Sequence, residues 1–229
     1  MSAVLNTPSL QRPEIEQALR AAFDRLRAGF EAERDPGHAL RMDRLNRVED
    51  MIKRMSPAMI QAISADFGHR SAQVTQLSDI TPVLLSLRHT QRHLRGWMKT
   101  RRMPTSLIYR PGYNRLMRQA LGVVGIVSPW NYPGMLALTP AIAALAAGNR
   151  VMIKPSEIGP RFSELLREQV AQRFGADEMV VVTGDADLGR AFVSLPFDHL
   201  LFTGSTAVGR QVAMAAAANL TPVTLELGG

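Results

Sequence analysis

Cysteine is absent from all 229 residues. That excludes a disulfide framework, a thiolate metal site and a cysteine nucleophile within this stretch. Long apolar runs are lacking too. The longest candidate, Met135 to Gly148, is shorter than the ~20 residues that cross a bilayer, and Pro140 interrupts it. The opening stretch "MSAVLNTPSLQRPEIEQ" has neither the basic start nor the apolar core of a signal peptide, so a cytoplasmic protein is expected. Acidic residues are missing between Arg88 and Arg118, which together with the residues between them hold nine basic groups and no Asp or Glu. Aromatics are scarce in the same stretch, with only Trp97, Tyr109 and Tyr113 available to stack on bases. A solvated helix face, or a surface toward an acidic partner, accounts for the charge better than nucleic acid does. His89 and His93 stand four residues apart in it, but no third ligand accompanies them, so an exposed helix is expected and no metal.

What is present is an ordinary globular composition, 46% hydrophobic and 21% charged. The length suits one large domain or two small ones. The first half reads helical. Ile15, Leu19, Phe23, Leu26 and Phe30 recur at helical spacing, with Pro13 where a helix starts. A second run, Leu40 to Phe67, is expected to break at Pro57 and to end at Gly68. A third carries Leu77, Ile80, Leu84, Leu87, Leu94 and Met98 on one side. Turn residues and alternation over 103–118 predict an extended hairpin or arm.

From Gly122 the pattern changes. The runs "VVGIVS", "RVMIKP", "MVVVTG", "HLLFTG" and "PVTLELG" read as strands. Between them lie four helical stretches. "RFSELLREQVAQRFG" is amphipathic, with Leu165 among its inward residues and Gly175 as its stop. Ser205 or Thr206 caps the last helix. Apolar strands alternating with helices predict a parallel sheet covered on both faces. Such sheets bind ligands at the carboxyl ends of their strands.

Those ends carry "SPWNYP", "KPSE" and "FTGSTAVG", and Glu226 lies among apolar neighbours near the end of the last strand. Gly204 and Gly209 flank a strand-to-helix turn that either cradles a phosphate or lets helix and strand pack closely. Arg210 and Gln211 rule out a Walker motif. "GDADLG" at 184–189 has the same glycine spacing without polar company and reads as a packing turn. Lys154 and Glu157 suit ribose hydroxyls, or form an ordinary surface ion pair. Asn131, bracketed by prolines beside Trp130, can aim an amide at a developing oxyanion or can satisfy a tight turn.

"PWNYP", "AAGNRVMIKPSE", "FTGSTAVG" and "LELGG", in this order and spacing, resemble the aldehyde dehydrogenase superfamily. "DFGHRS", "LRGWMKTRR", "LPFDHLLFTGST" and "NLTPVTLELGG" are most similar to its coniferyl-aldehyde branch, near the fatty-aldehyde-type enzymes. Tyr132 stands where many members have Phe. The resemblance implies an α/β fold, with N-terminal helices followed by a doubly wound, five-stranded parallel, Rossmann-like sheet. Residues 1–102 would be the helical part of the cofactor-binding domain, 103–118 an oligomerisation arm, and 119–229 the Rossmann-like core. The family's catalytic domain and its cysteine would lie beyond this stretch.

The same resemblance implies NAD-dependent oxidation of an aldehyde to an acid, with NADP possible, through a thiohemiacetal and a thioester on that cysteine. Asn131 would hold the oxyanion and Glu226 would activate water for thioester hydrolysis. Trp130, Lys154, Glu157, Gly204, Ser205 and Gly209 would bind the cofactor. The expected partner is a small-molecule aldehyde, with no nucleic acid and no membrane, and the full-length form would be a homodimer. Without the cysteine, the stretch alone is expected to be inactive. A nucleotide-binding remnant without chemistry is the second reading.

Overall fold

The computed structural model describes residues 12–228. Residues 1–11 of the stretch read as lacking a signal peptide fall outside them, as does Gly229. α1 (Arg12–Ala32) buries Leu19, Phe23, Leu26 and Phe30, the stripe their spacing predicts. α2 (His38–Asp66) runs unbroken through Pro57. The expected break is absent for a physical reason. Pro57 and Lys53, whose carbonyl loses its helical donor, are both exposed, so water can serve that oxygen. Met51, Met55, Met59 and Ile63 are buried on either side and hold both halves against the core. Gly68, at φ +75°, ends the helix as expected.

α3 (Ala72–Thr75), a π-helical turn over Gln76–Ile80 and α4 (Thr81–Trp97) follow without a gap. Leu77 was expected inside and is 69% exposed. The wide turn shifts the helical phase, so the inward stripe is Thr75, Asp79, Ile80, Val83, Leu87 and Leu94. The arm is an antiparallel hairpin of β1 (Arg101–Met103) and β2 (Asn114–Leu116), starting two residues before the expected boundary. Both strands are exposed, as are Leu107, Ile108 and Tyr109 between them.

The remainder alternates as predicted: β3 (Val123–Val127), α5 (Pro133–Ala147), β4 (Arg150–Lys154), α6 (Pro160–Ala171), β5 (Met179–Val181), α7 (Ala186–Val193), β6 (His199–Ser205), α8 (Thr206–Ala217) and β7 (Val223–Gly228). Pro140 stands inside α5 without interrupting it. α6 ends at Ala171, short of Gly175, and Leu165 is only partly buried on it. Among the described residues no helix is long and apolar enough to cross a membrane.

The five core strands are parallel, in the order β5-β4-β3-β6-β7. Strand pleating splits their side chains between two cores. Val124, Ile126, Val151 and Ile153 face α2, α4, α5 and α6. Val123, Met152, Leu200 and Phe202 face α1, α7 and α8. The helical first part is thus packed into the same body as the sheet. The chain winds outward from β3 to β5, then returns to place β6 beside β3. That reversal opens a crevice at the carboxyl ends of these two strands.

Candidate functional site

A cavity of about 980 Å³ occupies that crevice. Its walls are the residues that end successive strands. Val127 ends β3 and Ser128 and Trp130 follow it, Lys154 ends β4 and Glu157 follows it, and Thr203, Gly204 and Ser205 close β6. The far side is formed by α7 and by the first turns of α8, at Val208 and Gln211.

Lys154 is the last residue of β4 and is buried, with its side chain 5% exposed. Its Nζ donates to Glu157 Oε2 at 2.7 Å. Burial alone raises the Glu157 carboxyl, but the hydrogen bond and charge of Lys154 outweigh it and leave that group below the ordinary carboxylate range. Glu157 is therefore anionic near neutrality while half of its side chain still meets solvent. The pair presents a cation and an anion side by side at the cavity wall, a suitable arrangement for vicinal hydroxyls.

Ser205 caps α8, accepting a hydrogen bond from Val208 N at 3.4 Å. The first turn of α8 borders the cavity, and its amides and dipole favour an anion there. Gly204 keeps the wall clear: a Cβ on it would lie 2.5 Å from Phe202 Cζ. Ser128 Oγ, at the end of β3, is buried without a hydrogen-bond partner among the described residues. A buried unsatisfied hydroxyl beside a cavity is the kind of group a ligand satisfies.

Trp130 lines the cavity at 46% exposure, its ring 5.6 Å from that of Phe67. Three of the expected residues lie elsewhere. Gly209 is buried on the sheet side of α8, where a Cβ would meet Leu227 Cδ2 at 2.6 Å, so its place is the contact between α8 and β7. Asn131 is exposed on the turn after Trp130, and its carbonyl accepts from Arg70 Nη1 at 2.7 Å. Glu226 stands on β7 opposite Thr203 and is exposed, so the described residues do not form the closed apolar surround expected for it. The turn after β3 has two further partners that its own motif does not announce, Arg70 and Asp79. Asp79 was foreshadowed by one signal, a carboxylate set among the apolar residues of a helical stripe.

Comparison with known proteins supplies relatives for this architecture. The profile of the Aldehyde dehydrogenase family matches residues 2–229. A probable coniferyl aldehyde dehydrogenase of Pseudomonas aeruginosa is 47% identical over 216 residues, covering 94% of this chain and 45% of that protein. A solved structure of Staphylococcus aureus AldH, described as a substrate-bound state, superposes with a TM-score of 0.89 at 31% identity, covering 92% of this chain and 46% of that one. PnpE, solved in complex with nicotinamide adenine dinucleotide, superposes with a TM-score of 0.80 at 28% identity, over 93% of this chain and 44% of that one. The chain spans about half the length of the curated relatives it matches.

Proposed function

Because the chain belongs to the aldehyde dehydrogenase family, we propose that it forms the NAD(P)-binding part of an enzyme that oxidises an aromatic, coniferyl-type aldehyde to its carboxylic acid. The observation that carries this reading is the cavity at the reversal of the sheet, which gathers an anionic-cationic pair, a helix N-terminus and an unsatisfied hydroxyl. That donor set fits a dinucleotide. Lys154 and Glu157 would hold the hydroxyls of a ribose, and the first turn of α8 with Ser205 would hold the pyrophosphate. Gly204 leaves room for its approach, and Trp130 flanks the cleft. Gly209, facing β7, would contribute by seating α8. When bound, the nicotinamide accepts the hydride removed from the substrate.

The remaining roles belong to side chains beside the cleft. Asn131 would donate its amide to the oxygen that gains negative charge when a thiol adds to the aldehyde. No such thiol is among these 229 residues. Glu226 would take a proton from the water that releases the acid, which requires further surroundings to close over β7. The charged Glu157 carboxylate opposes a 2′-phosphate, so NAD is favoured over NADP.

Calorimetric titration tests the cleft. NAD should bind more tightly than NADP. Lys154→Met should weaken NAD about tenfold or more, as expected for the loss of a hydrogen bond to a charged group. Glu157→Gln should weaken NAD and narrow its lead over NADP. Equal affinities in the parent and both variants would refute the ribose assignment.

A further inference from the structure

We propose that Arg70 and Asp79 form a clamp that positions Asn131, an inference that rests on the oxyanion role given to that amide above. Arg70 lies just beyond the end of α2, and Asp79 lies on the π-helical turn before α4. Their side chains are 8% and 0% exposed, and Arg70 Nη2 donates to Asp79 Oδ2 at 3.0 Å. Arg70 Nη1 donates at 2.7 Å to the carbonyl of Asn131 itself. The guanidinium also lies over two rings, 4.9 Å from the centre of Phe67 and 5.1 Å from that of Tyr132. A planar, always-charged fork packed against two rings and held at two nitrogens has little freedom left.

Asp79 anchors the other side of the same turn. Its Oδ1 accepts from Gly134 N at 2.9 Å and from Met135 N at 3.2 Å. These are first-turn amides of α5, and Tyr132 at the cap of that helix offers no side-chain bond. A carboxylate from 55 residues upstream therefore caps α5. Gly134 permits the approach, since a Cβ there would lie 3.2 Å from Asp79 Cβ. Asn131 is thus tied at its own carbonyl and again three and four residues later, with Pro133 stiffening the link.

Stability alone is a poor account of this arrangement. Arg70 Nε is buried with no partner among the described residues. A buried ion pair is weak evidence for stability, because apolar groups of similar volume in place of both partners often serve as well. What it does supply is a fixed backbone under one side chain. An oxyanion donor needs that, because a misplacement of about 1 Å can cost ~10²-fold in rate. The π-helical turn fits the same role, as such turns collect at functional sites.

The test is a double-mutant cycle in the protein as its gene encodes it, assayed for aldehyde oxidation. Asn131→Ala should lower kcat by roughly 10²- to 10³-fold. Arg70→Met should lower kcat by roughly 10- to 10²-fold while leaving the KM for NAD unchanged. In the Asn131→Ala background the same Arg70→Met change should cost less than about threefold, since there is no amide left to position. Arg70→Lys, which keeps the charge and is less disruptive to folding, should show the same dependence on Asn131. Asp79→Asn keeps an acceptor for the two amides but loses the charge, and should speed hydrogen exchange at residues 131–135. Equal losses from Arg70→Met in both backgrounds would overturn the clamp and leave the role of Asn131 standing. An unchanged kcat in Asn131→Ala would overturn that role, and the clamp with it.

Discussion

Replacing Glu178 by Gln should remove one of the strongest electrostatic ties between the helical first part and the sheet. Glu178 sits one residue before β5. Its carboxylate accepts from Arg44 Nε at 3.0 Å and from both terminal nitrogens of Arg47, at 2.7 and 2.8 Å. The amide of Gly175 adds a fourth contact at 3.2 Å. Burial raises this carboxyl, and the two arginines more than reverse that, bringing it from 4.5 to about 2. The folded state therefore holds its proton less tightly than the unfolded chain does. The corresponding stability is present above the ordinary value of 4.5 and is lost as pH falls toward about 2.

A shift of that size at about 1.4 kcal/mol per unit amounts to about 3 kcal/mol. The side chain is 16% exposed, so solvent screens only part of it. Arg44, with its side chain 2% exposed, keeps Glu33 at 3.1 Å, which softens the loss. Glu178→Gln should thus cost about 2–3 kcal/mol near neutral pH. Urea melts followed by circular dichroism over a pH series would measure the gap. It should shrink steadily below about pH 4.5, because the parent then loses the same contribution by protonation. A gap below about 1 kcal/mol at neutrality, or one that stays constant into acid, would refute the reasoning.

Two further expectations follow from single contacts. Asp66, at the end of α2, accepts from Arg161 N at 3.1 Å and Phe162 N at 2.9 Å and so caps α6, whose own cap residue is Gly159; Asp66→Ala should cost about 1–2 kcal/mol in a thermal melt, and no change would dismiss the cap. Gly204→Ala should cost about 1–3 kcal/mol and weaken NAD, since the new methyl meets the buried Phe202 ring at the cavity wall. Gly209→Ala meets only the tip of the half-exposed Leu227, so affinity in a calorimetric titration should stay within about threefold, and a tenfold loss would put Gly209 back at the pyrophosphate.

The sheet was legible because its signal is local. Runs such as "VVGIVS" and "MVVVTG" are apolar nearly throughout and end in Gly or polar residues, and a parallel sheet buried on both faces leaves that trace. Alternation with helices then implies parallel strands and a ligand site at their carboxyl ends, whereas the order of the strands is seen only in the structure. Spacing does not show which way a helical glycine faces. "FTGSTAVG" left two readings open, and both glycines sit against packed side chains, Gly204 against Phe202 and Gly209 against Leu227, while Gly204 also borders the cavity. Pro57 and Leu77 show the limits of local rules. Exposure lets α2 carry a proline, and one wide turn shifts the phase of a stripe, and neither is written in the residues alone.

The positioning groups were hidden for a different reason. Asp66, Asp79 and Arg70 each act on a segment that lies 55 to 96 residues further along the chain. A carboxylate that caps its own helix announces itself by standing three residues ahead of a turn. One that caps another helix looks like any other acid at the end of its own. Asp66 and Asp79 both do this, each for a helix that crosses from one core strand to the next. The helical first part therefore does more than cover a face of the sheet. It ends the orphan amides of α5 and α6 and grips the turn between β3 and α5, so the geometry at the mouth of the cleft is set by residues that share no motif with it. Substitutions in α2 and the π-helical turn should accordingly be felt at Asn131 and Trp130 sooner than at Lys154 and Glu157, which lie at the end of a buried central strand and hold each other.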